Sequence, residues 1–189
     1  MRVIRAFLMM VALVVPAAAA VAGGYSDTID LFKHAGESAS FFTTSYGYAV
    51  FPTIGKGGLG IGGAHGSGRV YEHGKYVGDT SMTQLSVGFQ AGGQAFSQII
   101  FFEDKRAFDE FTKGNFEFSA GVSAVAITAA ASGTAGTTGV TGGASSGKKD
   151  AATTGDYYKG VAVFTIVKGG AMYEAAVAGQ KFSYKAKAR

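Results

Sequence analysis

The stretch AVFPTIGKGGLGIGGAHGSG, residues 49–68, decides the fold of this chain. At its start, residues 46–51 place tyrosine and valine on one side and small or apolar residues on the other, with the period of two that predicts a β-strand. Gly58, Gly60 and Gly62 then share one face of an extended chain, where the absence of side chains lets a helix or a second sheet approach closely. The stretch therefore predicts a glycine-rich strand packed against another layer.

Further strands are predicted on the C-terminal side of this stretch. Residues 72–75, Glu-His-Gly-Lys, form a hairpin turn signal, so the strands on either side are expected to pair antiparallel. From Leu85 to Ala91 apolar residues alternate with polar or small ones, which predicts a sheet with one buried and one wetter face. Ile99 to Phe102 is apolar on both faces and should lie deep. Residues 157–167 favour a strand, and residues 171–184 would also suit a helix, although strand is preferred.

Two helices are predicted beside the sheet. Residues 27–42 carry apolar side chains at helical spacing, although Gly36 inside this helix costs about 1 kcal/mol relative to alanine. Glu103 and Asp104 open a second, short helix that stops at Gly114. The predicted fold class is therefore α+β: a mainly antiparallel, strongly curved or barrel-like, glycine-rich β-sheet with two short flanking helices.

Residues 1–22 are typical of a signal peptide. Arg2 and Arg5 precede a short apolar stretch, and Ala20-Val21-Ala22 is a small-residue cleavage motif. An uncleaved anchor is the less favoured alternative, because the small-residue motif lies where a signal peptidase would cleave. We expect an exported protein, periplasmic or secreted and peripheral at the envelope membrane.

The rest of the chain divides into a short N-terminal part and one domain. Residues 23–45 are predicted to form the amphipathic helix and its lead-in, and residues 46–189 the β-rich domain. Within the domain, residues 132–155 consist almost wholly of Gly, Ala, Ser and Thr, a composition with too little bulk to pack. This segment is predicted to be a mobile, low-complexity loop.

Motifs for enzyme chemistry fail in their context. Gly58, Gly60 and Gly63 fit the spacing of a dinucleotide-binding loop only if a helix follows, and more strand is predicted instead. The three histidines are far apart and the chain has no cysteine, so no metal site is expected. The net charge of +4 falls to +2 without Arg2 and Arg5, too weak a bias to indicate nucleic-acid binding. The sequence predicts no catalytic residue, no cofactor and no enzymatic activity.

Several segments together resemble the SYLF-domain family. Ala49-Val50-Phe51-Pro52, Lys56 and the glycine run from Gly57 to Gly63 resemble its signature, and residues 87–94 resemble its central G-x-Q-x-G segment. The resemblance implies lipid binding, because eukaryotic members bind phosphoinositides and bacterial members are exported and credited with lipid binding. It implies an anionic phospholipid or membrane surface as the partner. Fungal members also bind actin filaments, but actin is not expected as the partner of an exported bacterial chain.

Surface lysines are the residues nominated to bind lipid headgroups, since phosphate groups attract cations. The candidates are Lys56, Lys148, Lys149, Lys159 and Lys168. Two aromatic residues of the first predicted helix, Phe32 and Phe42, are the candidates for membrane anchors. The competing hypothesis is a structural or stress-related envelope protein that binds another protein through its sheet edge or loop, without a specific lipid ligand.

Overall fold

The computed structural model of the chain describes residues 24–118, 130–131 and 156–188. Two predicted segments lie outside the described residues: the signal peptide over residues 1–22 and the low-complexity loop over residues 132–155. Lys148 and Lys149 belong to that loop, so the structure gives no placement for these two candidate lysines.

Three helices and five strands make up the described residues. The helices are α1 (Tyr25–Lys33), α2 (Ser38–Thr44) and α3 (Lys105–Thr112), and the strands are β1 (Gly47–Glu72), β2 (Lys75–Phe102), β3 (Glu117–Phe118), β4 (Ala130–Ala131) and β5 (Val161–Ala186). The sheet order is β1-β2-β5-β3 with antiparallel neighbours, and β4 pairs parallel with β5. The prediction of an α+β fold with a mainly antiparallel sheet is confirmed. Within the described residues the sheet is open, with β1 at one edge.

The three long strands bend so sharply that the sheet folds back on itself. A Cβ atom placed on Gly68 would lie 2.6 Å from the ring of Phe51 in the same strand, and one on Gly66 would lie 2.6 Å from Ile54. The bend in β1 coincides with a register shift between Leu59 and Ile61, and Gly60 there has a φ of 73° that favours glycine. One sheet thus supplies two packed layers.

Apolar side chains fill the space between the two layers. The inner core contains Phe51, Ile54, Val70, Met82, Ile100 and Phe182. Helix α3 covers this core at the end away from the bend, where Phe111 packs its ring 5.4 Å from that of Phe182. The carboxylate of Asp104 caps α3 by accepting a hydrogen bond of 2.8 Å from the Ala107 amide. The predictions for this helix and for the deep strand over residues 99–102 are confirmed.

Helices α1 and α2 cover the outer face of one layer. The phenyl ring of Phe41 lies 5.5 Å from that of Phe101 and 4.9 Å from that of Phe164. The prediction of one continuous helix over residues 27–42 is wrong, because the chain breaks at Gly36, which has a φ of 63°. The Ser38 hydroxyl donates to the Phe32 carbonyl at 2.6 Å and so satisfies the end of α1. The sheet therefore has three flanking helices instead of the predicted two.

We call the end of the molecule that carries the three helices the closed end. Both ends of β1 meet there, since the rings of Tyr48 and Tyr71 stack at 5.0 Å and the Tyr46 hydroxyl donates to Glu72 at 2.6 Å. Burial raises the pKa of the Tyr48 hydroxyl to about 12, because the phenolate would lose its hydration. The opposite end, where the strands bend, carries no helix among the described residues.

Candidate functional site at the bend of the sheet

Four aliphatic side chains stand exposed at the bend. Leu59 is 84% exposed, Ile61 65%, Leu85 65% and Val87 58%. Ile61 lies opposite Val87 in the β1–β2 ladder, and Leu85 lies opposite a glycine of β1, so these three occupy neighbouring positions. Leu59 lies two residues before Ile61, across the register shift at the bend. We call these four residues the apolar tip. Isolated exposed aliphatic residues are ordinary on proteins, but a group of four on two paired strands is a distinct surface feature.

The first part of the alternation predicted over residues 85–91 is present at the tip, where the apolar side chains of Leu85 and Val87 face outward. Leu85 and Val87 are exposed, whereas Gln84 and Ser86, which alternate with them, are buried. The reason is the fold-back of the sheet, because the inner face at the bend lies against the sheet itself. A hydrophobic pattern alone assigns the aliphatic side to the interior, and here that assignment is wrong.

Glutamine side chains occupy the interior behind the tip. The amide of Gln180 on β5 donates to the side-chain carbonyl of Gln84 on β2 at 3.0 Å. The amide of Gln98 donates in turn to the side-chain carbonyl of Gln180 at 3.5 Å, and all three residues are buried. Buried amides are stable only when they are hydrogen-bonded, so this chain of three glutamines fixes which face of the sheet points inward.

The outer face becomes more polar with distance from the tip. Two positions along from Leu85, the Thr83 hydroxyl lies 3.2 Å from Nδ1 of His65. In the following row the hydroxyls of Ser81 and Ser183 are 2.7 Å apart. Along this face the side chains therefore pass from aliphatic to hydroxylated within a few residues.

Two of the predicted lysines lie on the strands that form the bend. Lys56 is half-buried and precedes Leu59 by three positions on β1. Lys168 on β5 is also half-buried, and its ammonium donates to the Pro52 carbonyl at 2.8 Å and to the Thr53 hydroxyl at 3.1 Å. These hydrogen bonds hold the Lys168 ammonium beside the β1 backbone that leads to the tip.

The fold does not bring all the lysine candidates together. Lys159 is exposed at the closed end, where its ammonium lies 5.4 Å from the ring centre of Tyr158. Lys181, which the sequence did not single out as a headgroup ligand, lies opposite Thr83 on the outer face. Its ammonium contacts the Glu117 carboxylate at 2.9 Å, but an exposed pair of this kind contributes only ~0–1 kcal/mol, so a phosphate can compete for the lysine.

The two candidate membrane anchors belong to the outer core at the closed end. Phe32 is 0% exposed. Phe42 is half-buried and packs its ring 5.2 Å from that of Tyr48 and 4.9 Å from that of Phe101. Both rings hold their helices against the sheet, so a membrane contact through Phe32 would require α1 to leave its place.

A second concave surface lies between α1 and the hairpin end of β1. The Arg69 guanidinium is enclosed there by the rings of Tyr25 and Tyr76, at 4.3 and 4.9 Å from their centres. Asp79 lies 4.0 Å from the same guanidinium, and burial raises the pKa of Tyr25 while Arg69 lowers it. The Arg69 guanidinium in this cleft is therefore enclosed by two aromatic rings and joins α1 to the sheet.

Neither a transmembrane helix nor a metal site is present in the described part of the chain. No helix between residues 24 and 118 or within the other described stretches has the length and apolar character to cross a bilayer. The same residues contain no group of three acidic, histidine or cysteine side chains that could hold a metal ion. The candidate binding surfaces among the described residues are the apolar tip, the lysines on the strands that form the bend and the aromatic cleft.

The protein is a β-rich module in which a folded-back, mainly antiparallel sheet exposes the apolar tip at its convex end. The chain belongs to the family described as "Ysc84: Las17-binding protein actin regulator", whose family model matches residues 83–188, more than half of its length. This is the SYLF-domain family, so the predicted family is confirmed. The match begins at Thr83 within β2 and includes α3, β3, β4 and β5, whereas the glycine-rich block over residues 49–68 precedes it.

The chain is also similar to a curated bacterial protein. It is 30% identical over 156 residues to "Beta cell expansion factor A" of Aeromonas veronii, an alignment that covers 82% of this chain. It covers 51% of the relative, so the chain spans about half the length of the protein it matches. No solved structure matches the fold.

Proposed function

We propose that this protein is an exported, non-enzymatic module that binds anionic lipid membranes, with phosphate-bearing headgroups recognised by lysines on the strands that form the bend of the sheet. The lysines are Lys56 and Lys168, joined by Lys181. The family relationship supports a binding module, and the charge distribution along the three long strands is the observation that carries the proposal.

Charge is distributed unevenly along the molecule. Residues 50–68, 80–102 and 161–184 include the bend and carry three cations, Lys56, Lys168 and Lys181, against a single acid, Glu174. The helices of the closed end and the residues directly beside them together carry seven of the remaining described carboxylates. These are Asp27, Asp30, Asp109 and Glu110, with Glu37, Glu103 and Asp104 beside the helices. An anionic surface would therefore attract the bend and repel many groups of the closed end.

The proposed attraction needs no covalent chemistry. Each lysine near an anionic bilayer contributes about 1 kcal/mol, so three contribute about 3 kcal/mol, on the order of a hundredfold in partitioning. The Lys168 ammonium is oriented by two oxygen acceptors, the Pro52 carbonyl and the Thr53 hydroxyl. Because these charges are near solvent, added salt should weaken the binding.

Vesicle flotation tests this function. Purified protein is mixed with neutral phosphatidylcholine vesicles, with vesicles containing phosphatidylglycerol and with vesicles containing a phosphoinositide, each at low and high salt. Binding to the anionic vesicles that declines with salt is expected. Equal flotation with neutral vesicles, or none with any vesicle, would contradict the proposal.

A matched pair of double variants locates the charge. Lys56→Glu with Lys168→Glu changes two lysines on the strands that form the bend, and Lys75→Glu with Lys113→Glu changes two exposed lysines at the closed end by the same amount. The first variant should lose most of its anionic binding, whereas the second should retain it. Circular dichroism checks that both variants fold. Equal losses would mean that net charge, not the bend, determines binding.

Export is part of the proposal and rests on the N-terminal sequence. Arg2 and Arg5, the apolar stretch after them and Ala20-Val21-Ala22 have the order of a cleavable signal. Fractionation of producing cells followed by N-terminal sequencing should find the protein outside the cytoplasm, beginning at Gly23. Recovery of the chain in the cytoplasm with Met1 intact would contradict export.

One observation favours the competing hypothesis of a protein partner. Among the described residues β1 pairs on one side only, with β2, and such a strand edge can accept a strand from another protein. Absence of flotation with every vesicle, combined with stable association of the folded chain with an envelope protein, would favour that function.

A further inference from the structure

We propose that the apolar tip, formed by Leu59, Ile61, Leu85 and Val87, inserts into the interfacial region of a lipid bilayer with the bend of the sheet foremost. This inference rests on the proposed membrane binding and deepens it by naming the surface that enters the membrane. It also fixes the orientation of the bound protein, with the closed end pointing away from the bilayer.

The outward direction of the tip is built into the fold. Leu85 is exposed while its neighbours Gln84 and Ser86 are buried, and Gln84 is hydrogen-bonded to Gln180. If the strand turned over, these aliphatic groups would enter the interior, but the amides would lose their partners. The aliphatic side chains therefore face outward because the buried glutamines need their hydrogen-bond partners inside the sheet.

The shape of the tip favours a bilayer over a folded protein as its partner. The four side chains project from the convex end of a folded-back sheet and are 58–84% exposed. A protein partner would need a matching cavity, whereas a bilayer interface admits a small protruding group without one. The four residues are all aliphatic, the kind of surface that acyl chains receive.

The order of side chains behind the tip matches the polarity profile of a membrane surface. Thr83 and Lys181 pair with each other two positions behind Leu85, which places them about 7 Å behind it at the rise of a β-strand. Interfacial segments bury their apolar face by roughly 5–10 Å. With the tip at that depth, the hydroxyl and the ammonium reach the phosphate level, and Lys56 lies near the same boundary.

The backbone limits the depth of insertion. Strand β2 is hydrogen-bonded on both sides, to β1 and to β5, whereas β1 forms an edge of the described sheet. Unpaired peptide groups are costly in hydrocarbon but can be hydrated at the interface. The tip should therefore enter the boundary between headgroups and acyl chains and go no deeper.

Single-tryptophan variants test the insertion directly, because the chain contains no tryptophan. Leu85→Trp places the reporter in the tip, and Lys75→Trp places it at the exposed hairpin turn of the closed end. With vesicles containing phosphatidylglycerol, the Leu85→Trp emission should shift to shorter wavelength and be quenched by lipids brominated in their acyl chains. The Lys75→Trp emission should remain that of a solvated indole.

The outcomes separate this inference from the proposed function. If Leu85→Trp floats with the vesicles but its emission is unchanged, insertion is wrong while membrane binding stands. Quenching of Lys75→Trp instead of Leu85→Trp would overturn the orientation. Absence of flotation for both variants and for the unmodified protein would overturn membrane binding and insertion together.

A second variant removes the dependence on a bulky reporter. Leu59→Ser with Leu85→Ser keeps every charge and removes two aliphatic groups, so binding to anionic vesicles should fall by roughly tenfold or more. The loss should persist at high salt, where lysine contributions are screened. Tyr158→Ser, which removes an exposed aromatic side chain at the closed end, is the control and should bind normally. Unchanged flotation of the double serine variant would overturn the insertion.

Discussion

The closed end and the apolar tip are built from the same three strands, yet they place apolar side chains in opposite directions. At the closed end, Phe101 on the outer face is fully buried beneath α1 and α2. At the tip, Leu85 on the same strand has no such cover among the described residues and is exposed. The comparison shows that alternating apolar and polar residues define the two faces of a strand. Whether the outer apolar side chains become part of the core depends on whether a helix covers them.

The two regions therefore give apolar residues different roles. Phe101 contacts the rings of Phe41, Phe42, Tyr48 and Phe164 at centre distances from 4.9 to 5.9 Å. Such clusters stabilise the folded state through burial and through their edge-on ring geometry. The aliphatic groups of the tip remain in water, so they contribute little to folding and are available for association.

The sharpest way to break this comparison is to truncate one apolar residue in each region. Phe101→Ala should lower the free energy of unfolding by about 3–5 kcal/mol, because it leaves a cavity beneath two helices. Leu59→Ala should change it by no more than about 0.5 kcal/mol, as expected for an exposed side chain. Urea unfolding followed by circular dichroism measures both values. Similar losses at the two positions would mean that the regions are not energetically distinct.

Local features of the fold could be predicted from the sequence. The hairpin at residues 72–75, the helix opened by Asp104 and the deep strand over residues 99–102 each depend on a few neighbouring residues. Gly36 indicates a weak point in the helix predicted over residues 27–42. The break itself also depends on Ser38, whose hydroxyl donates to two backbone carbonyls at the end of α1. Features that depend only on residues close in sequence are therefore the ones that the sequence predicts well.

The fold-back and the tip could not be predicted, because they depend on contacts between distant residues. Phe51 meets Gly68 only when the strand bends, and period-two alternation is the same in a flat and a folded sheet. A useful signal was present in the glycines at 58 and 62, which pack against each other at the bend. Alternation around Leu85 showed two faces but could not show which face was covered.

The buried glutamines offer a second test of the comparison, now inside the molecule. Gln180→Met keeps the volume but leaves Gln84 and Gln98 without their partner, which should lower stability by about 2–3 kcal/mol. Gln94→Met changes a half-buried glutamine on β2 and should have an effect near zero. Thermal and urea unfolding measure both. A neutral or stabilising Gln180→Met would show that the polar interior does not depend on this hydrogen-bond chain.

The contact between the two layers gives a third test. A methyl group at Gly68 would meet the Phe51 ring at 2.6 Å and the Val50 carbonyl at 2.8 Å, so Gly68→Ala should cost roughly 1–3 kcal/mol. Gly63 lies on the exposed face of the same strand, where the nearest atom would be 3.4 Å away. Gly63→Ala should therefore be nearly neutral. Equal effects in urea unfolding would argue against the close packing of the two layers.

The smallest expected effect on stability is at the tip itself. Leu59→Ser with Leu85→Ser should change the free energy of unfolding, measured in urea, by no more than about 0.5 kcal/mol per substitution. Both side chains are already in water in the folded protein. The closed end provides the contrast, since a serine at buried Phe164 should be strongly destabilising. A loss above about 2 kcal/mol for the tip variant would mean that these aliphatic groups are covered in the folded protein. In that case the tip would belong to the core, and the distinction between the two regions would fail.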